Sequence, residues 1–285
     1  MYNNTDVTYK NPMREADLAK SWTVARGSRH AEPARLIPEL TRTAFHRDGW
    51  ILLRGVAETV WLSRIREALS RETLARCRTG SGAAFMPVAN LWRSDAECAQ
   101  FAHDPGFARI AAQLLGVERV RLYHDQAMFS EPGAMATPWH QDAQHWAVPG
   151  NRCLTMWLPL VDLDPSMGTL TYASGSHRDG LLGDWPIDQA AQRFFADYLE
   201  SRSYPLVNAG AMAAGDALFH DGWVIHGSPA NATARLREVM TVLYVADGTR
   251  LEFPRFPAQQ QALKDWTPGQ DPGEEIGSPL NPQLG

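Results

Sequence analysis

A mainly β fold, a double-sheet jelly roll with helices at its flanks, is what this sequence predicts, and three observations predict it. Helical periodicity dominates the region before about residue 115. Beyond it, short apolar strands separated by Pro, Gly and Asp turns take over. Neither βαβ alternation nor a glycine-rich phosphate loop occurs, which excludes a dinucleotide-binding sheet. The composition is that of an ordinary globular protein, 44% hydrophobic and 21% charged over 285 residues, enough for a large buried core.

In chain order, residues 1–35 are polar and without a sustained period, an extension ahead of a core over about 36–248. Ile37, Leu40, Ala44 and Phe45 recur at helical spacing and stop at Gly49. Trp50-Ile51-Leu52-Leu53 follows as a strand. A second helix, about Glu58 to Cys77, is expected to bury Val60, Trp61, Ile65, Leu69 and Leu74 and to present Arg64, Arg66, Arg71 and Arg76 to solvent. From Thr79 to Ser94 the residues become small and glycine-rich around Phe85-Met86-Pro87, a pattern typical of lids and substrate loops. Helices near Asp95–Ala102 and Pro105–Leu115 come next. The best strands are Val120–Phe129, Cys153–Leu160, Thr169–Ala173, Ala217–Phe219 and Val239–Val245, with one helix over about Ile187–Glu200. The tail, 249–285, is rich in Pro and Gly and is expected to wrap the surface. No repeat and no linker divides the chain, so one domain over 1–285 is expected.

A net charge of −5 and no lysine/arginine run give no electrostatic footprint for nucleic acid. No apolar run reaches the length of a membrane span, and Met1–Asp6 lacks a signal-peptide core. The three cysteines, odd in number and far apart, fit a reduced cytoplasmic protein.

The chemistry is carried by Thr137-Pro138-Trp139-His140-Gln141-Asp142. On extended backbone, side chains two apart share a face, so His140 and Asp142 are able to grip one ion while Gln141 points away. Two histidines and a carboxylate leaving three positions open is the ligand set of non-haem Fe(II) oxygenases. The chain has three such H-x-D pairs. His46/Asp48 falls at a helix end before Gly49, and His177/Asp179 in a turn, so context favours His140/Asp142. The remote histidine should end a later strand: His220 or His226, both after Gly215-Asp216-Ala217-Leu218-Phe219. His226 is preferred because Ser228 and Arg237 follow it. An arginine fork with a hydroxyl beside it suits the distal carboxylate of 2-oxoglutarate. The bland alternative for Arg237 is an ion pair with Glu238.

These residues resemble the phytanoyl-CoA dioxygenase family of Fe(II)/2-oxoglutarate oxygenases over most of the chain. Phe45-His46-Arg47-Asp48-Gly49-Trp50 looks like the family's opening helix-to-strand segment, and His140-Gln141-Asp142 like its first metal motif. Trp157-Leu158-Pro159-Leu160, Met167-Gly168-Thr169-Leu170 and Gly175-Ser176-His177 look like its central hairpin. The distal motif is Gly215-Asp216, His226, Ser228 and Arg237, the arginine eleven residues after the histidine. Ser278-Pro279-Leu280-Asn281-Pro282 resembles the tail of bacterial members.

The resemblance implies a cupin-like double-stranded β-helix with Fe(II) on His140, Asp142 and His226. It further implies 2-oxoglutarate held by Arg237 and Ser228 and lined by Trp157, Gln126 and Thr137, with O2 as co-substrate. The implied reaction is hydroxylation of an unactivated C–H bond of a small metabolite, in secondary metabolism, with release of succinate and CO2. Two features qualify the match: no lysine stands near Ser130, where some relatives have one for the co-substrate, and an intact Asp142 argues against halogenation. Trp92, His145, Trp146, Trp185, Phe85 and Met86 are the candidate substrate walls. Three alternatives stay open: an acyl-CoA substrate met by the arginine-rich helix, a cupin-type metalloenzyme without a 2-oxo acid using His220 and His226, and a non-catalytic binding module.

Overall fold

The computed structural model of the chain describes residues 22–23, 36–77 and 88–285. Phe85, Met86 and most of the expected lid loop lie outside the described residues. Two sheets face one another. The larger runs β1 (Trp22–Thr23), β2 (Trp50–Arg54), β9 (Ala217–Asp221), β6 (Cys153–Pro159), β11 (Arg237–Ala246), β4 (Val120–Ser130) and β12 (Gln283–Leu284), with β3 (Val88–Ala89) also on β4. The smaller runs β5 (Thr137–His140), β10 (His226–Ser228), β7 (Thr171–Ala173) and β8 (Leu206–Asn208). All pairings except β1–β2 are antiparallel. This is the expected double-stranded β-helix.

The helices ahead of β4 cover the outer face of the large sheet. Helix α1 (Glu39–Asp48) ends at Gly49, whose φ of 79° is the left-handed conformation that glycine adopts without cost. Its buried residues are Thr41 and Phe45, with Ile37 buried just ahead of it, while Leu40 is 68% exposed, against expectation. In α2 (Thr59–Cys77) the inward stripe is Trp61, Leu62, Ile65, Ala68 and Leu69, which turns Val60 out to 73% exposure. Helices α3 (Ala96–Ala102) and α4 (Pro105–Leu115) start where predicted because Asp95 and Asp104 accept their first backbone N–H groups. Leu91, Phe101, Phe107, Ile110 and Leu114 pack with Ala127, Met156, Met240, Val242 and Tyr244 of the sheet. Trp92 belongs here too, edge-on to His103, with its backbone N–H on Asp125. It packs on the helical side of the sheet, which corrects its expected place in the substrate wall.

The tail is more than a surface wrap. Beyond α5 (Gln189–Arg202), which packs on the small sheet, it forms α6 (Pro257–Trp266), and β12 closes the edge of β4. Asn281, 0% exposed, donates to the carbonyls of Leu122 and Tyr123, where β4 bulges against β11 and backbone oxygens would otherwise lack a partner.

Candidate metal centre

Sheet register assembles the site in two facing rows. Directly opposed residues of antiparallel strands project from the same face. In the large sheet, His124, Leu243, Thr155, His220 and Trp50 are opposed in turn across β4, β11, β6, β9 and β2. In the small sheet, His140, His226 and Tyr172 are opposed across β5, β10 and β7. Asp142 lies just past β5, where the chain enters a short 3-10 turn. Gln141 points away, as the alternation predicts, and is fully buried. Its side chain binds the carbonyls of Gly180 and Trp223 and the N–H of Leu182, pinning the turn that carries Asp142 to two other loops.

Ligand atoms of His140, Asp142 and His226 all lie within 4.8 Å of one another, the one such constellation among the described residues. His140 Nε2 is 3.5 Å and His226 Nε2 3.7 Å from Asp142 Oδ1. Each histidine has Nδ1 against a carbonyl two residues earlier, that of Pro138 at 2.8 Å and Val224 at 3.1 Å. Protonation at Nδ1 leaves each Nε2 lone pair facing Asp142, the tautomer a metal requires. Burial and neighbouring His140 keep His226 well below the ordinary imidazole range. Burial opposes charge on Asp142, yet the neighbouring imidazoles of His226, His140 and His220 hold it well below the usual carboxylate range. A carboxylate with two imidazoles around one point is a donor set that fits Fe(II).

His220 stands outside that constellation. Its Nε2 meets the other carboxylate oxygen, Asp142 Oδ2, at 3.0 Å. The two remaining H-x-D pairs dock on each other: His177 Nε2 binds the carbonyl of His46 at 3.1 Å, and Gly175 N–H binds that of Asp48.

Further along the same face, Gln126, Thr241 and Trp157 form a second row, and Arg237 stands opposite Ser130 at the end of β11. Arg237 is 4% exposed, and no acid among the described residues pairs with it. Glu238, the alternative partner, projects from the opposite face of β11 and is held by Arg66 at 2.6 and 2.9 Å. Arg66 makes this pair from the expected solvated face, its side chain still 45% exposed. The Arg237 fork instead touches the Gly168 carbonyl and, at 3.5 Å, Ser228 Oγ; its Nε has no partner, and Trp157 lies 6.0 Å from the guanidinium carbon. Gly168, at φ 84°, sits so close that a Cβ there would crowd Arg237 and the Pro229 carbonyl. Burial lowers the guanidinium to about 10, still charged at neutral pH. A buried cation without its anion fits a site for a ligand carboxylate. Thr137 is half-buried, opposite Ser228.

On the other side of Asp142, His145 and Trp146 lie in and just after the turn. Sequence reasoning missed their neighbours. His124 packs at 4.5 Å against Trp266 of α6 and edge-on to Trp146 at 5.8 Å. Burial, opposed by Asp142, brings His124 down to about 4, so it is neutral. Its place two residues before Gln126 on one strand was the available signal. Trp185 stacks on Phe194 at 4.1 Å, and its carbonyl accepts from the side chain of Gln144, next to His145.

Asp221, at the end of β9, accepts one hydrogen bond from Trp223 N–H, while burial raises its carboxyl to about 7. An acid with a raised folded pKa favours the fold only while protonated, so this contribution is present below about pH 4 and lost as pH rises through about 7. Asp221→Asn keeps the acceptor. It should be more stable than the parent at pH 8 by up to about 4 kcal/mol and no more stable at pH 4, as thermal melts at the two pH values would show.

Comparison with known proteins places this geometry. The phytanoyl-CoA dioxygenase (PhyH) family model matches residues 45–239. An ectoine dioxygenase from Stutzerimonas stutzeri is 26% identical over 267 residues, covering 82% of this chain and 87% of that protein. The epimerase SnoN from nogalamycin biosynthesis, solved with Fe3+, alpha ketoglutarate and nogalamycin RO, superposes with a TM-score of 0.70 at 26% identity, over 86% of this chain and 98% of its own. The carbocyclase SnoK of the same biosynthesis gives 0.71 at 21% identity, over 88% and 98%. With its family, its metal-binding triad and its β-helix in agreement, the chain belongs to the phytanoyl-CoA dioxygenase family and is an Fe(II)/2-oxoglutarate-dependent dioxygenase.

Proposed function

We infer that the enzyme hydroxylates an unactivated C–H bond of a small, ring-containing and largely apolar metabolite, with His140, Asp142 and His226 as iron ligands and Arg237 with Ser228 as the 2-oxoglutarate clamp. The observation that carries the co-substrate assignment is the buried Arg237, whose charge has no protein anion. Trp157, Gln126 and Thr137 line the same region and would exclude water from it. Bound iron supplies O2 activation coupled to oxidative decarboxylation of the 2-oxo acid, giving succinate and CO2. The protein's own residues bind and orient: none in the site is needed as a general acid or base.

The substrate class rests on the aromatic wall of His124, Trp146 and Trp266 beside Asp142, with neutral His124 able to hydrogen-bond an uncharged oxygen. His145 lies on the same rim. An acyl-CoA is less favoured, since Arg66 is committed to Glu238. The relatives named above include a dioxygenase, an epimerase and a carbocyclase, so the reaction outcome depends on substrate pose. A natural-product tailoring role fits this wall. Two buried free cysteines, Cys98 and Cys153, suit a reducing cytoplasm. The test is succinate release with Fe(II) and 2-oxoglutarate across a panel of uncharged cyclic metabolites and acyl-CoAs. Release stimulated by cyclic compounds supports the assignment; stimulation by acyl-CoAs alone, or turnover indifferent to 2-oxoglutarate, overturns it.

A further inference from the structure

Asp142 has two carboxylate oxygens, and they are used differently. Oδ1 faces Nε2 of His140 and His226. Oδ2 faces away from them and receives Thr155 Oγ1–H at 2.8 Å and His220 Nε2 at 3.0 Å. A carboxylate only accepts hydrogen bonds, so His220 carries its proton on Nε2. Its Nδ1 is then an acceptor, and Tyr172 O–H donates to it at 3.0 Å. Tyr172 is itself fixed, fully buried and stacked on Trp50 at 4.6 Å and 8°.

The sheet supplies this arrangement. Thr155, His220 and Trp50 are consecutive opposed positions of the large sheet, and Tyr172 is opposed to His226 in the small one. Each donor is therefore set by strand register and not by a flexible loop, whereas Asp142 itself follows the end of a strand.

We propose that His220 is a positioning residue that, with Thr155 and under the control of Tyr172, reserves Asp142 Oδ2 for the protein so that only Oδ1 is offered to the metal. A carboxylate left free to offer both oxygens would take a second coordination position. Holding it to one keeps three positions open, as a bidentate 2-oxo acid plus O2 requires. The proposal rests on His140, Asp142 and His226 being the iron ligands.

The test is anaerobic titration of the metal-free protein with Co(II), read by its visible absorption, together with the melting temperature of each metal-free variant. His220→Leu removes the donor, and His220→Gln returns an N–H near the Nε2 position. The expected result is a loss of roughly 10- to 100-fold in Co(II) affinity for His220→Leu, with a changed spectrum, and recovery of most of it in His220→Gln. Tyr172→Phe, which leaves the ring packing in place, should show a smaller loss of the same sign. Thr155→Val reports on the second donor should His220→Leu fold poorly. Parent-like affinity and spectrum in His220→Leu and Thr155→Val would overturn the proposal, as would a fall in melting temperature with no change in metal binding. Asp142→Asn is the control: if it too binds Co(II) as the parent does, the metal assignment itself fails.

Discussion

Asp142→Asn should lower affinity for Fe(II) by more than about a hundredfold and abolish measurable succinate release, while shifting the metal-free melting temperature by only a few degrees. The reasoning is one of magnitudes. Loss of a group that merely supports a ligand costs about 10- to 100-fold in metal affinity. Loss of the only anionic ligand must exceed that, since His226 is neutral and no other acid joins the cluster among the described residues. The fold should tolerate the change because asparagine has the same shape and keeps an oxygen for Thr155 and His220, while a buried charge disappears. Anaerobic titration, a succinate assay and a thermal melt measure the three quantities. Undiminished succinate release by the variant would dismiss Asp142 as a ligand.

Much of this centre was legible in the sequence, and the reasons are physical. Alternation on an extended strand put His140 inward and Gln141 outward, and the structure keeps that arrangement. Spacing alone did not choose among three identical tripeptides; Ser228 and Arg237 beyond His226 did. His220 was read only as an alternative ligand, because its contact with Asp142 joins residues 78 apart through sheet register. The three-residue strands β8 and β10 carry too few positions for any period to show. Composition misled in two places: the Pro/Gly-rich tail hid α6 and β12, and Trp92 faces the helices despite its place next to a flexible-looking loop. An ion pair with Glu238 was only the bland alternative for Arg237, and the pairing of Glu238 with Arg66 leaves Arg237 free for a ligand.

That freedom gives the second large effect. Arg237→Met should raise the KM for 2-oxoglutarate by about 30- to several-thousand-fold, the equivalent of about 2–5 kcal/mol for truncating one side of a buried charged pair. Fe(II) binding should survive, because none of the three ligands touches the lost fork. The metal-free protein should be no less stable than the parent and gain in stability if methionine fills the space, since a desolvated cation without an anion is replaced by an apolar chain. An arginine whose role was structural would behave in the opposite way: its removal would lower the melting temperature and leave the KM alone. The parent should also be stabilised by added 2-oxoglutarate in proportion to the logarithm of its concentration above Kd, and the variant should not. Steady-state kinetics and thermal melts with and without 2-oxoglutarate separate the two cases. A variant with an unchanged KM and a lowered melting temperature would make Arg237 part of the scaffold and remove the main support for a carboxylate site between the sheets.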